Sequence, residues 1–210
     1  MKSSEILIAT KNLHKLEEIS QILGPYDISI KSLLDFPDVG EALEDGMSFE
    51  ENAAKKALFY AQETGLLSLA DDSGLEIDFF GGAPGIHSAR YIDLSMSFSE
   101  RCDIILERMK DVGDGRRGAH FTCVIATAFP GRLERTFRGE LRGSIARYKR
   151  GSYGFGYDPI FHVPEYGRNL AELEPSIKNE ISHRARALQS ALDSIIELAG
   201  RSHLNKTAPG

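Results

Sequence analysis

The chain is poor in cysteine. Only Cys102 and Cys123 occur among 210 residues, one on a helix-like segment and one on a strand-like one. Neither keeps the spacing to another cysteine or to histidine that a structural metal site requires. A disulfide framework and a Cys/His metal centre are thereby excluded, and reduced, buried thiols in a cytoplasmic protein are expected. Long apolar runs are also missing: none approaches the roughly 20 residues that cross a bilayer. The opening MKSSEILIATKN has too short an apolar segment, and no small-residue cleavage pattern, for a signal peptide. Positive charge is short as well. Twenty-five Lys and Arg face 31 Asp and Glu, a net charge of −6, which excludes a general nucleic-acid-binding surface. A polyphosphate ligand would have to be held by a few placed cations. The local exceptions are RYKRG (Arg147 to Gly151) and SHRARAL (Ser182 to Leu188).

What is present suits one compact globular domain, or one domain with a lobe: 41% hydrophobic residues, 20 Gly and 8 Pro. EILIA (Glu5 to Ala9) reads as a short buried strand. Leu16, Ile19 and Leu23 then recur at helical spacing until Gly24-Pro25. Tyr26 to Lys31 reads as a second strand. A helix from Ser48 places Phe49, Ala53, Ala57 and Tyr60 on one face, and Ser48 with Glu51 matches a capping box. A third helix turns Cys102, Ile105, Leu106 and Met109 inward. AHFTCVIATAF, Pro130-Gly131 and RLERTFRGELRGSIA read as a long hairpin, with Leu133, Phe137, Leu141 and Ile145 on the strand period. The last helix carries Ile181, Ala185, Leu188, Leu192 and Ile195. No repeat or linker interrupts this mixed α/β pattern, which predicts a single domain over residues 1–200 and a polar, disordered tail over 201–210.

Six stretches could carry chemistry. ATKNLHK (Ala9 to Lys15) runs a strand into a helix, where free amides and the helix dipole favour an anion and Thr10, Asn12 and Lys15 add donors. A plain N-cap is the alternative. EDGMSFEENAAKKA (Glu44 to Ala57) sets Asn52 and Lys56 four apart on one helix face. LLSLADDSGLEIDFF (Leu66 to Phe80) holds Asp71 and Asp72 between apolar runs, either as turn chemistry with Ser73-Gly74 or as carboxylates held for catalysis. GGAPGIHSARY (Gly81 to Tyr91) is a tight loop delivering Ser88 and Arg90, either for function or as a structural turn. GSYGFGYDPIF (Gly151 to Phe161) combines glycines, which admit close backbone approach, with an aromatic face at Phe155. Finally, IKNEISHR puts Lys178, Ser182, His183 and Arg184 in the first turns of the last helix, where cations oppose the dipole.

Taken in order, these motifs resemble those of the inosine triphosphate pyrophosphatase family, the XTP/dITP diphosphatases. The match runs through T-x-N-x-x-K (Thr10, Asn12, Lys15), E-N-A-x-x-K-A (Glu51 to Ala57) and A-D-D-S-G-L (Ala70 to Leu75). It continues through G-A-P-G-x-x-S-A-R (Gly82 to Arg90), G-F-G-Y-D-P-I-F (Gly154 to Phe161) and S-H-R (Ser182 to Arg184). Tyr153 stands where many members have glycine, a departure that bears on the base-side loop.

The resemblance implies an α/β fold, with a long mixed β-sheet and helices in two lobes around a central substrate cleft. It implies a homodimer that hydrolyses ITP, dITP and XTP to the monophosphate and pyrophosphate, cleansing the nucleotide pool. Thr10, Asn12 and Lys15, with the intervening Lys11, Leu13 and His14, would cradle phosphates, and Lys56 would add a second cation. Asp72 would be the general base and, with Glu44, would hold Mg²⁺; Ser73 would contact substrate. Phe155 would stack on the purine, flanked by Gly156 and Tyr157. Asp158, Lys178, His183 and Arg184 would read the purine edges. A site rich in donors accepts the C6 carbonyl of a deaminated purine and rejects adenine. The rival readings are a pyrophosphatase for other modified nucleotides and a non-catalytic nucleotide-binding protein.

Overall fold

The computed structural model describes residues 4–93 and 95–205. Strand β1 (Ser4–Ile8) leads into helix α1 (Leu13–Leu23), which ends at Gly24-Pro25, where proline has no N–H to continue the ladder. β2 (Ile28–Ser32) pairs in parallel with β1, starting two residues later than the apolar pattern predicts. A long loop reaches α2 (Phe49–Thr64), which buries Phe49, Ala53, Ala57 and Tyr60 as expected. The expected capping box is only half formed. Ser48 Oγ accepts from Glu51 N at 3.1 Å, but the Glu51 carboxylate accepts from Met47 N, one residue earlier than the cap.

β3 (Leu67–Ile77) pairs in parallel with β1. It runs unbroken through Asp71, Asp72, Ser73 and Gly74, so the turn expected there does not exist. Gly74 is needed for close approach rather than for a reversal. A Cβ on it would lie 2.2 Å from Gly85 O and 2.5 Å from Ser88 Oγ. Ser88, buried, donates to Gly85 O and accepts from Leu75 N, so its hydroxyl laces the Gly/Pro loop to β3. Arg90 is exposed.

α3 (Phe98–Arg108) precedes the hairpin β4 (Gly118–Phe129) and β5 (Arg132–Ile145), and the short strands β6 (Phe161–Val163) and β7 (Arg168–Asn169) follow. The sheet order is β2-β1-β3-β4-β5-β6-β7, parallel at β2-β1-β3 and antiparallel at β5-β6-β7, hence mixed. The last helical region is two helices, α4 (Pro175–Ile181) and α5 (His183–Asn205). Ser182 breaks them with extended backbone, φ −65° and ψ 158°. Lys178 therefore lies on α4, while His183 and Arg184 open α5, instead of sharing one helix start. α5 continues to Asn205, five residues into the expected tail; residues 206–210 lie outside the described ones.

The chain forms two compact units. One comprises residues through Asp72, Cys123–Gly139 and the chain from Arg184; the other comprises Ser73–Thr122 and Glu140–His183. The first unit buries Ile6, Ile8, Ile19, Leu23, Leu67, Leu69, Ile125 and Leu188 around Cys123. The second buries Leu75, Ile77, Ile105, Met109, Phe121, Tyr157 and Phe161 around Cys102. Burial pushes both free thiols up to about 12, so neither is ionised near neutrality. Among the described residues no helix is long and apolar enough to cross a membrane.

Candidate active site

In the first unit, the junction between β1 and α1 caps itself. Asn12 Oδ1 accepts from His14 N and Lys15 N at 3.0 and 3.2 Å, and Thr10 Oγ1 accepts from Asn12 N at 3.1 Å. The N-cap alternative is therefore correct for the oxygens of both residues. Their donors, the Thr10 hydroxyl and Asn12 Nδ2, remain for a ligand, since neither donates to any described residue. Lys15 turns inward to Asp71 Oδ2 at 3.0 Å. Lys11 turns outward to Glu41, and Leu13 and His14 are exposed.

Because β3 is an unbroken strand, its two aspartates face opposite sides and meet different partners. Asp71, on the α5 side, is buried against Lys15 and Arg184, with Arg184 Nη2 at 3.0 Å and Nε at 3.3 Å; Arg184 Nη1 is held by Glu18. Asp72, on the α2 side, accepts from Asn52 Nδ2 at 3.1 Å and faces Lys56 Nζ at 3.4 Å. The same ammonium lies 3.1 Å from Glu44 Oε1. These environments drive the two carboxyls apart. Burial alone would raise Asp71, but Lys15 and Arg184 outweigh it and hold Asp71 well below the ordinary carboxylate range. At Asp72 burial wins over Lys56 and Lys15, and the carboxyl is raised. Burial acts against the charge of Lys56, but Asp72, Asp71 and Glu44 more than offset it, so Lys56 stays protonated. One aspartate is thus a permanent anion that anchors cations, and its neighbour is a base of increased proton affinity. Among the described residues no group of three or more His, Cys, Asp or Glu is placed to hold a metal ion.

In the second unit, Asp158 organises the glycine-rich loop. Its Oδ2 accepts from Phe155 N at 2.9 Å and from Lys178 Nζ at 2.6 Å. Lys178 Nζ lies 4.6 Å from the Phe155 ring centroid, a cation–π contact. Gly154, at φ +71°, is required twice over: a Cβ there would lie 2.1 Å from Asp158 Oδ2. Tyr157 is buried and donates its hydroxyl to Ser88 O at 2.8 Å, so its side chain supports the loop from within. His183 stacks on Phe121, with centroids 4.7 Å apart and planes at 13°. Ser73 is half-buried, next in sequence to Asp72.

Arg184 is the main surprise. Sequence reasoning grouped it with Asp158, Lys178 and His183, yet it lies in the first unit among Lys15, Asp71 and Glu18. Adjacent residues on a helix diverge by about 100°, which sends His183 to Phe121 and Arg184 to Asp71. Glu18, and Asp71 in this anchoring role, were not anticipated. The only available signal for Glu18 was its position three residues after Lys15 on one helix face. Asn52, noted for its spacing to Lys56, acquires a partner in Asp72.

The mixed sheet, with a paired aspartate strand gripped by lysines from two helices, defines one structural class of α/β protein. Solved structures of that class match closely. A HAM1 protein from Coxiella burnetii superposes with TM-score 0.83 at 41% identity, covering 92% of this chain and 98% of that one. The Ham1 protein of Staphylococcus aureus gives 0.80 at 36% identity, covering 92% of this chain and 98% of that one. The sequence profile of the Ham1 family matches residues 6–194, and the chain belongs to that family. Among its relatives, the dITP/XTP pyrophosphatase of Geobacter sulfurreducens is 46% identical over 192 residues, 91% of this chain and 96% of that protein. The dITP/XTP pyrophosphatase of Desulfotalea psychrophila is 45% identical over 183 residues, 87% and 81% of the two chains. The resemblance drawn from the motifs is borne out.

Proposed function

We propose that this protein hydrolyses non-canonical purine nucleoside triphosphates, ITP, dITP and XTP, to the monophosphate and pyrophosphate, cleansing the nucleotide pool. The observation that carries the reading is the divergence of Asp71 and Asp72. A hydrolase needs one carboxylate with raised proton affinity to take a proton from water, and cations held by the other to meet phosphate charge. Asp72 is the general base, with Asn52 and Lys56 orienting its two oxygens. Lys15 and Lys56 bind phosphate oxygens, joined by the donors of Thr10 and Asn12 and the backbone of Lys11, Leu13 and His14.

Asp72 and Glu44 would hold Mg²⁺. The donor set fits, because both carboxylates already converge on one cationic group, Lys56 Nζ. Mg²⁺ commonly takes only one or two carboxylates, with water and phosphate completing its shell. When bound, the ion supplies charge neutralisation on the phosphates. Ser73, next to Asp72, contacts substrate. In the second unit, Phe155, Gly156, Tyr157, Asp158, Lys178 and His183 form the base-recognition set. Phe155 offers a ring face, and Gly156 and Tyr157 contribute backbone. Arg184 serves the site through Asp71. The protein acts as a cytoplasmic homodimer, without a nucleic-acid or membrane partner.

Pyrophosphate release from ITP, XTP, GTP and ATP at equal concentration tests the reading; ITP and XTP should far exceed ATP. Asp72→Asn should lower kcat by about 10²- to 10⁴-fold, the usual worth of a general base. Wild-type turnover of ITP by a folded Asp72→Asn protein would overturn it, and orthophosphate as the product would reassign the chemistry.

A further inference from the structure

The basic stretch RYKRG has no part in the proposed reaction. It follows β5, whose last residues pair with β6 as Ser144↔His162 and Ile145↔Phe161. Ile145 and Phe161 lie in the core of the second unit, so Ser144 and His162 face the other side of the sheet. There a pocket of about 420 Å³ is lined chiefly by Arg117, Ser144, Arg147, Tyr148, Arg150 and His162. That volume lies in the range of roughly 300–1,000 Å³ usual for small-molecule sites.

Its charge is one-sided. The single acid in the lining, Asp114, is already engaged by Arg147, with Nη2 at 2.6 Å and Nε at 3.1 Å. Arg117 is buried, and its guanidinium donates only to carbonyls: Ile145 O at 2.7 Å, Ala146 O at 2.8 Å, and Met109 O. No carboxylate pairs with that buried cation among the described residues. The side chains of Arg150, His162, Ser144 and Tyr148 make no hydrogen bond or ion pair to any described residue. The backbone that presents them is nonetheless pinned. Arg150 N donates to Pro159 O, Ala146 N donates to Ile160 O, and Asn169 Nδ2 bridges Tyr148 O and Pro159 O. Three guanidiniums, an imidazole and two hydroxyls thus line one pocket in a chain whose net charge is −6.

We propose that this pocket binds a small phosphate-bearing anion, with Arg150 and His162 as its principal ligands. Guanidinium forks match phosphate oxygens in pairs. The buried Arg117 adds a charge with no carboxylate in direct contact among the described residues. None of these residues belongs to the candidate active site.

Calorimetric titration of the full chain in EDTA, separately with inorganic phosphate, pyrophosphate and inosine monophosphate, tests the proposal. Binding should weaken at least tenfold in Arg150→Ala and in His162→Ala, and fall with added salt. In Lys15→Ala, which removes a cation of the candidate active site and is checked for folding by circular dichroism, the Arg150-dependent binding should persist. In Lys15→Ala, tighter Arg150-dependent binding of the monophosphate than of the inorganic ions identifies a nucleotide as the occupant; the reverse identifies a free phosphate species. Circular dichroism of Arg150→Ala checks folding, and Arg150→Lys should restore part of the affinity. No binding of any of the three anions overturns the proposal, as does binding abolished by Lys15→Ala and untouched by Arg150→Ala. Failure of ITP hydrolysis leaves these outcomes unaffected, because they are read without turnover.

Discussion

Asp71 and Asp72 are the same residue type, adjacent and buried, yet their energetics have opposite signs. Asp71 is stabilised as an anion by Lys15 and Arg184, and breaking a buried ion pair by removing one partner typically costs about 3–5 kcal/mol. Asp71→Asn should therefore lower unfolding free energy by an amount of that order. Asp72 carries its charge against a burial penalty that Lys56 and Asn52 only partly offset, so Asp72→Asn should cost less than Asp71→Asn at neutral pH. Urea unfolding of the two isosteric variants in EDTA decides this; equal losses at both positions would refute the division of roles. Sequence gave the candidates but not their division. The motif order made Asp72 the candidate base. The partners of Asp71, and the pairing of Arg184 with Asp71 and Glu18, depend on which helix faces each side of β3, and no spacing rule encodes that.

At the level of elements, β3 links the aspartates to the loop it touches. Gly74 leaves room for Gly85 O, and Ser88 joins that loop both to Leu75 N and to the Tyr157 hydroxyl. Gly74→Ala has no space, since its Cβ would meet backbone oxygen at 2.2 Å. Overpacking of this kind costs about 1–3 kcal/mol or more, and thermal unfolding of the variant measures it. Ser88→Ala should cost about 1–3 kcal/mol by leaving Leu75 N without its acceptor. Most elements were legible in the apolar periods: α1, α2, α3 and the β4–β5 hairpin stand where the pattern puts them. The errors fell where polar residues compete for roles. Asp-Asp-Ser-Gly has turn composition but a strand conformation, because Lys15, Arg184, Asn52 and Lys56 give its carboxylates partners that a turn would otherwise supply. Ser182, of a type favoured at turns and helix caps, splits the last helical region, and Lys178 and Arg184 on either side of it are paired in different units.

Across the whole molecule, acid stability should report the anchoring of Asp71. Its folded proton affinity is depressed, so its contribution is complete above the unfolded value of about 3.9 and is lost as pH falls below it. Asp72 has the opposite sign: protonation, which begins at higher pH, relieves its burial penalty. In EDTA, the wild-type protein should lose stability below about pH 4 more steeply than Asp71→Asn, as followed by circular dichroism. By itself the amino-acid sequence determined the class: a mixed α/β chain of reduced cysteines and acidic balance, with ordered motifs that carry family membership. Those properties are local, set by hydrophobic period, capping chemistry and residue type. The tertiary structure alone decided that Asp71-Asp72 is a strand with two faces and not a turn. It also decided that Arg184 anchors Lys15 through Asp71, and that RYKRG borders a cationic pocket. Each of those outcomes rests on burial and charge pairing between residues distant in the chain, and such energies exist only once the elements have packed.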